Sequence, residues 1–270
     1  RYQSHGLGMA DVVGGISVFG GVDVVTETDA QALDQVVVVP AAGISIALPY
    51  TLELGPGAPQ VVPHLQLDGT LLANLFLGRV TRWDDAAISL LNPGLAGHLP
   101  NATICLAVLD TSSGTTYTLT SALSALSPEF GNRVGAVAYV APGLWPAEDR
   151  GGCVVRYGSE ADLASGIANS QNMIGASDYA HVRTHNLVTA RMFNAAGRVV
   201  EPGVANGVSA MREADKQAAV SEPHSLVRRL VNMGGEQTWP ICTYVYFTVQ
   251  LASSGECSGV HVFAEFYSWL

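Results

Sequence analysis

Apolar and polar positions alternate along the chain so as to predict short strands and helices in turn. The clearest case runs from Ile104 to Leu126. An apolar run of strand length, Ile104–Leu109, breaks into small and hydroxylated residues at 111–115. A helix-period pattern follows, with Leu119, Leu123 and Leu126 on one side. Upstream, alternation around F-G-G-V-D predicts a strand within Ile16–Val25. β-Branched runs predict two buried strands, Val36–Val39 and Gly43–Pro49, parted at Pro40. After the Gly- and Pro-rich stretch Gly55–Pro59, helices are predicted over Gly69–Leu77 and Asp84–Leu91, with Trp83 as core between them. Beyond Leu126 the pattern predicts a loop at Pro128–Gly135, a strand at Val137–Val140 and a connection at Pro142–Gly152. A helix over Asp162–Asn169, a strand over Asn172–Ser177, a short helix over Tyr179–Asn186 and a two-stranded piece within Leu187–Val200 come next. Helices at Ala205–Val220 and His224–Asn232, a strand at Thr243–Gln250 and a closing helix at Val260–Trp269 complete the series. No internal repeat is visible, and strand–helix alternation predicts open α/β sheets.

Composition narrows the classes. The 270 residues are 48% hydrophobic but only 13% charged, about half the usual ~25%. Such a charge-poor surface fits either coverage by partners or a bias to Ala, Gly and Val. The net charge of −10 argues against nucleic acid or anionic lipid as partner. The longest apolar stretch, Val36–Leu48, is broken by Pro40 and Gly43 and is too short to insert in a membrane as a spanning helix. The opening at Arg1, with no signal-peptide pattern, is expected of a mature or partial sequence. Four cysteines without C-x-x-C spacing fit disulfides better than zinc, and Asn101-Ala-Thr103 matches the glycosylation triplet. An extracellular, cell-surface or periplasmic home is expected.

The polar break at 111–115 is the candidate chemical site. The first N–H groups of a helix have no internal partner and carry partial positive charge. Gly114 lets backbone approach a ligand, while Ser113 and Thr115 add hydroxyls, so the turn can cradle an anion. The plainer reading is that Ser112 or Ser113 caps the helix. Ser4, at another strand-to-helix junction, carries the same two readings. Asp23 lies between apolar residues and reads by default as a turn or cap residue rather than a functional acid. His181 and His185 stand four apart, yet with no third ligand near in sequence they read as a solvent-facing pair, and no metal site is predicted.

Several longer stretches occur in a telling order. They are Y-Q-S-H-G-L-G at Tyr2–Gly8, F-G-G-V-D at Phe19–Asp23, and a long block from Leu67 to Gly94 containing W-D-D-A-A-I. S-S-G-T-T at Ser112–Thr116, I-G-A-S-D-Y-A at Ile174–Ala180 and W-P-I at Trp239–Ile241 follow. This succession resembles the periplasmic phosphate-binding proteins of bacterial ABC importers. The resemblance implies a two-lobed, type 2 periplasmic-binding-protein fold, each lobe an open mixed sheet flanked by helices. Lobe I would comprise residues 1–60 and 216–270, and lobe II residues 61–215, with the first strand of lobe I missing from this chain. Ser4, Asp23, Ser113, Gly114 and Thr115 would bind the anion, Asp23 accepting the proton of hydrogen phosphate, and no cofactor is implied. The family's arginine, four residues before the serine of S-G-T, is replaced here by Leu109, and a carboxylate stands at Asp110. Losing a bidentate guanidinium weakens an anion site by roughly one to two decades, so restoring arginine at 109 is expected to strengthen it. Cys242 and Cys257, flanking the last strand, are expected to pair, leaving Cys105 to pair with Cys153 within lobe II.

Three functions are thereby in view: an oxyanion-binding module, a structural or interaction subunit that reuses the fold through protein partners or self-assembly, and an enzyme. No nucleophile elbow, P-loop or zincin motif appears, so the chain is read as not an enzyme. The binding module is preferred because most of the cradle is present.

Overall fold

The computed structural model describes residues 11–17, 19–23, 25, 36–58, 64–221, 227–250 and 265. Ser4, Cys257, the expected strand at 1–4, and most of the expected closing helix lie outside the described residues. In chain order the strands are β1 (Phe19–Val22), β2 (Val36–Ala47), β3 (Gln66–Leu67), β4 (Cys105–Leu109) and β5 (Cys153–Tyr157). β6 (Met173–Gly175), β7 (Ser177–Asp178), β8 (Arg191–Phe193), β9 (Val199–Val200) and β10 (Cys242–Gln250) follow. The helices are α1 (Gly69–Phe76), α2 (Ala86–Leu91), α3 (Gly114–Leu126), α4 (Pro128–Arg133), α5 (Pro146–Asp149), α6 (Glu160–Ala168), α7 (Tyr179–Thr184) and α8 (Val204–Ser221).

One sheet has the order β1-β10-β2-β7 and is antiparallel throughout. A second, β5-β4-β6, is parallel, and a third joins β3, β8 and β9. β4 is the pivot of the parallel sheet. Its alternate residues Leu106 and Val108 join the main core with Leu119 and Leu123 of α3 and Trp145. Ala107 and Leu109 face the other way, into a smaller cluster with Leu163 and Ile167 of α6 and Met173. Trp83 is fully buried, as its sequence context predicted.

Several elements differ from the sequence reading, each for a local reason. β2 is one strand running through Pro40 rather than two. Ala42 pairs with Val245 and Pro40 with Tyr246, so Ala41 is the extra residue of a bulge. A bulge tolerates a residue without a ladder donor, which is how the proline is absorbed. Residues 128–133 are helical, not loop. Pro128 sits at the helix start, Ser127 Oγ accepts from Phe130 N–H at 3.3 Å, and Phe130 is buried. Residues 137–140 form no strand, because the Thr120 hydroxyl both accepts from Val137 N–H and donates to Val137 C=O, each at 2.9 Å. The described part of the helix expected at 224–232 is not helical. Tyr246 OH accepts from Arg228 N–H at 3.0 Å and donates to Arg228 C=O at 3.1 Å, claiming the groups a helix would use. α8 runs unbroken from Val204 to Ser221.

Cys105 and Cys153 are registered neighbours on β4 and β5 and form a disulfide, with Cα atoms 4.5 Å apart. The expected partnership of Cys242 with Cys257 is corrected: Cys242 is a buried free thiol. It points into the core, donates weakly to Trp239 C=O at 3.5 Å, and burial pushes its pKa up to about 12. Cross-linking two residues separated by 48 positions stabilises by about 4 kcal/mol in the chain-entropy treatment. The double replacement Cys105→Ser with Cys153→Ser is therefore expected to lower the urea midpoint by an amount equivalent to about 2–4 kcal/mol. An unchanged midpoint would show that the parallel sheet holds this edge unaided.

Candidate functional site

β4 delivers the chain to the site. After Leu109 and Asp110 the backbone turns, and Ser113 in extended conformation becomes the N-cap of α3. Its hydroxyl accepts from Thr116 N–H and donates to Thr116 Oγ1, both at 3.0 Å, and its own N–H donates to Ala138 C=O at 2.9 Å. The capping reading of Ser113 is thus realised. It also orients the next two N–H groups, those of Gly114 and Thr115, outward at the positive end of the helix.

Asp23 occupies that end. The residue follows β1, and its backbone carbonyl accepts from Thr243 Oγ1 of β10 at 3.2 Å. Its side chain fills the space a Cβ at Gly114 would take, with Oδ2 3.1 Å from that position. A negative carboxylate at a helix N-terminus is favourable by typically ~0.3–1 kcal/mol. Of the sequence-predicted ligand residues, the fold brings together Asp23, Ser113, Gly114 and Thr115, while Ser4 lies outside the described residues. Asn101 sits exposed on a bend.

A second acidic group flanks the cradle, and sequence reading missed it. Glu160 opens α6, with the Thr115 side chain beside its carboxyl. Ser177 Oγ donates to Glu160 Oε2 at 2.8 Å, whereas the buried Oε1 has no partner. Burial raises the Glu160 pKa, Asp178 adds to the rise, and the Thr115 and Ser177 hydroxyls and His181 oppose it. Asp178 caps α7 by accepting from His181 N–H at 2.9 Å, and its other oxygen lies 2.6 Å from His181 Nδ1. One ligand atom from each of Glu160, Asp178 and His181 can be chosen so that all lie within 4.8 Å of one another. The block I-G-A-S-D-Y-A contains Ser177 and Asp178, but nothing in it points to Glu160.

The cationic side of the site is also not as the sequence suggested. Leu109 is 4% exposed and packs with Leu163, Ile167 and Met173. An arginine placed there would bury its guanidinium among apolar side chains, at a cost in stability, so the expectation that Leu109→Arg strengthens binding is withdrawn. The nearby arginine is Arg156 on β5, and its guanidinium is fully committed. It donates to both oxygens of Glu148 at 3.2 Å, to Val140 C=O at 3.0 Å, to Ala141 C=O at 2.9 Å and to Asp110 Oδ1 at 3.2 Å. Asp110, the carboxylate that stands beside the cradle in sequence, therefore has its charge paired. Arg156 also fixes the loop whose Ala138 carbonyl holds Ser113.

Two outcomes follow from this geometry. Gly114→Val forces a side chain into Asp23 and is expected to cost about 1–3 kcal/mol in urea unfolding; wild-type stability in that variant would contradict the contact. Arg156→Met strands a partly buried glutamate and two carbonyls and is expected to cost about 3 kcal/mol. Arg133→Met, which breaks the exposed pair with Asp149, should cost under about 1 kcal/mol. Equal losses in the two would refute the special role of Arg156.

No family model matches the chain. The PstS phosphate-binding protein of Xylella fastidiosa strain 9a5c is 32% identical over 205 residues, 76% of this chain and 52% of that protein. The chain thus spans about half the length of such curated relatives. A protein named as a serine/threonine-protein kinase/receptor, from Acanthamoeba polyphaga mimivirus, is 25% identical over 85% of this chain, a region that makes up 14% of the viral protein. In three dimensions the chain is similar to a human phosphate-binding apolipoprotein, with TM-score 0.62 and 19% identity over 93% of this chain and 70% of that one. With the α/β architecture and the order of its sequence blocks, these likenesses show a chain similar in sequence to PstS phosphate-binding proteins and sharing the α/β fold of phosphate-binding proteins over nearly its whole length.

Proposed function

We propose that the chain is an extracytoplasmic solute-binding module that takes hydrogen phosphate, or another small protonated oxyanion, at the N-terminus of α3. The observation that carries the reading is the Asp23 side chain set against Gly114. An anion accepting from the Gly114 and Thr115 N–H groups would displace that side chain and meet its carboxylate across the gap. An ionised carboxylate only accepts hydrogen bonds, so the anion must bring a proton to it. Hydrogen phosphate has one and sulfate does not. With Arg156 committed elsewhere and Leu109 in the core, backbone and hydroxyl donors supply the attraction, and we infer weak binding. The disulfide accords with an oxidising compartment, and no helix among the described residues is long and apolar enough to cross a membrane.

A second reading is favoured by the mimivirus protein, in which a similar region is a small part of a much longer chain. There the module would serve a receptor or surface assembly. Phosphate and sulfate titrated calorimetrically into the 270-residue chain at neutral pH separate the two. The binding module predicts saturable phosphate binding, at least tenfold preference over sulfate, and loss of that preference in Asp23→Asn. Ser113→Ala should weaken phosphate by roughly tenfold through the lost cap. No heat with either anion would leave the structural reading in possession.

A further inference from the structure

Beside the cradle stands a set of side chains that oxyanion binding does not use. Glu160 comes from the start of α6, while Asp178 and His181 belong to the β7–α7 junction. The three offer two carboxylate oxygens and one imidazole nitrogen within 4.8 Å of one another. Donor atoms around a tetrahedral ion, each ~2.0–2.2 Å from the metal, lie about 3.3 Å apart. Small side-chain rotations therefore suffice to close the set. We propose that Glu160, Asp178 and His181 form a binding site for a divalent transition-metal ion, zinc by the character of its donors, next to Thr115.

The arrangement has the features such a site requires. A mixed nitrogen and oxygen set suits zinc and its neighbours better than magnesium or calcium, which take oxygen alone. The supporting contacts are in place. Ser177 Oγ holds Glu160 Oε2 at 2.8 Å, and Asp178 is fixed by its capping bond from His181 N–H at 2.9 Å. The local cap accounts for Asp178 and His181 on their own, but it leaves Glu160 Oε1 buried, with the Thr115 side chain beside the carboxyl yet no hydrogen bond of good geometry to that oxygen. Leaving such an oxygen unpaired is costly, and a cation satisfies it. Three protein ligands leave a fourth position open. With Thr115 alongside, that position can take an oxygen of an anion seated on the α3 N-terminus, and the metal would supply the positive charge that Leu109 and the committed Arg156 do not. This last role rests on the oxyanion reading above; the metal site itself does not.

The test separates the two. Zinc chloride is titrated by calorimetry into the chelator-treated 270-residue chain, without phosphate, for the wild type, Glu160→Gln and His181→Gln. Circular dichroism checks that each variant folds. One zinc per chain, with affinity reduced at least tenfold in both variants, is the expected result. Absence of saturable binding, or equal affinity in wild type and either folded variant, overturns the site and assigns any zinc to other histidines such as His185. Phosphate titrated into the metal-free chain reads the oxyanion proposal alone. Phosphate titrated into the zinc-loaded chain should bind at least tenfold more tightly than into the metal-free chain, and an unchanged affinity would remove the metal from the anion site.

Discussion

The contact between Gly114 and the Asp23 side chain is the constraint on which the arrangement rests. It tolerates no Cβ at position 114, and it joins the antiparallel sheet to the parallel one. Asp23 hangs from β1, which pairs with β10 from Phe19 opposite Val249 to Val22 opposite Tyr246. β10 in turn pairs along β2 and carries the Thr243 hydroxyl that grips the Asp23 carbonyl. On the other side, Gly114 is held by the Ser113 cap and by the loop that Arg156 fastens. A carboxylate is thereby set against the positive end of a helix, where dipole and charge attract. The same attraction would act on an external anion, and on the proposed reading Asp23 is the competitor such an anion must displace.

Charge around the cradle is unusual for an anion site. Arg156, 15% exposed at its side chain, holds Glu148 and Asp110 and so stabilises the walls without reaching into the gap. Leu109 supports the sheet from inside a small apolar cluster. Asp23 and Glu160 flank the helix end. On the proposed oxyanion reading, such a site would bind weakly and select for a protonated guest, unless a cation at Glu160, Asp178 and His181 reversed the local sign. The bonds that hold Arg156 to Glu148, Asp110 and the loop occupy its guanidinium and leave it no free donor.

Much of this was legible in the chain. The break from Ile104–Leu109 into hydroxylated residues and then into the Leu119, Leu123 period marked the strand, the cradle and the helix, because each is a local consequence of side-chain spacing. Trp83 as core was legible for the same reason. What escaped were facts of long range. Pro40 signalled a strand end, yet pairing with β10 absorbed it in a bulge at Ala41. The helical pattern near Arg228 gave way to the Tyr246 hydroxyl. Glu160 drew no reading, since the helix was expected to begin only at Asp162 and nothing in its neighbours tells that Ser177 and Thr115 will enclose it. Cys242 read as a disulfide half because spacing says nothing of which way a strand residue points.

The most direct measurement is a crystal structure of the chain at saturating phosphate. The account predicts a tetrahedral anion about 2.7–3.0 Å from the N–H groups of Gly114 and Thr115, with the Asp23 carboxylate drawn back from Gly114 and facing one anion oxygen. Asp23 still packed on Gly114, with no anion between them, would contradict it.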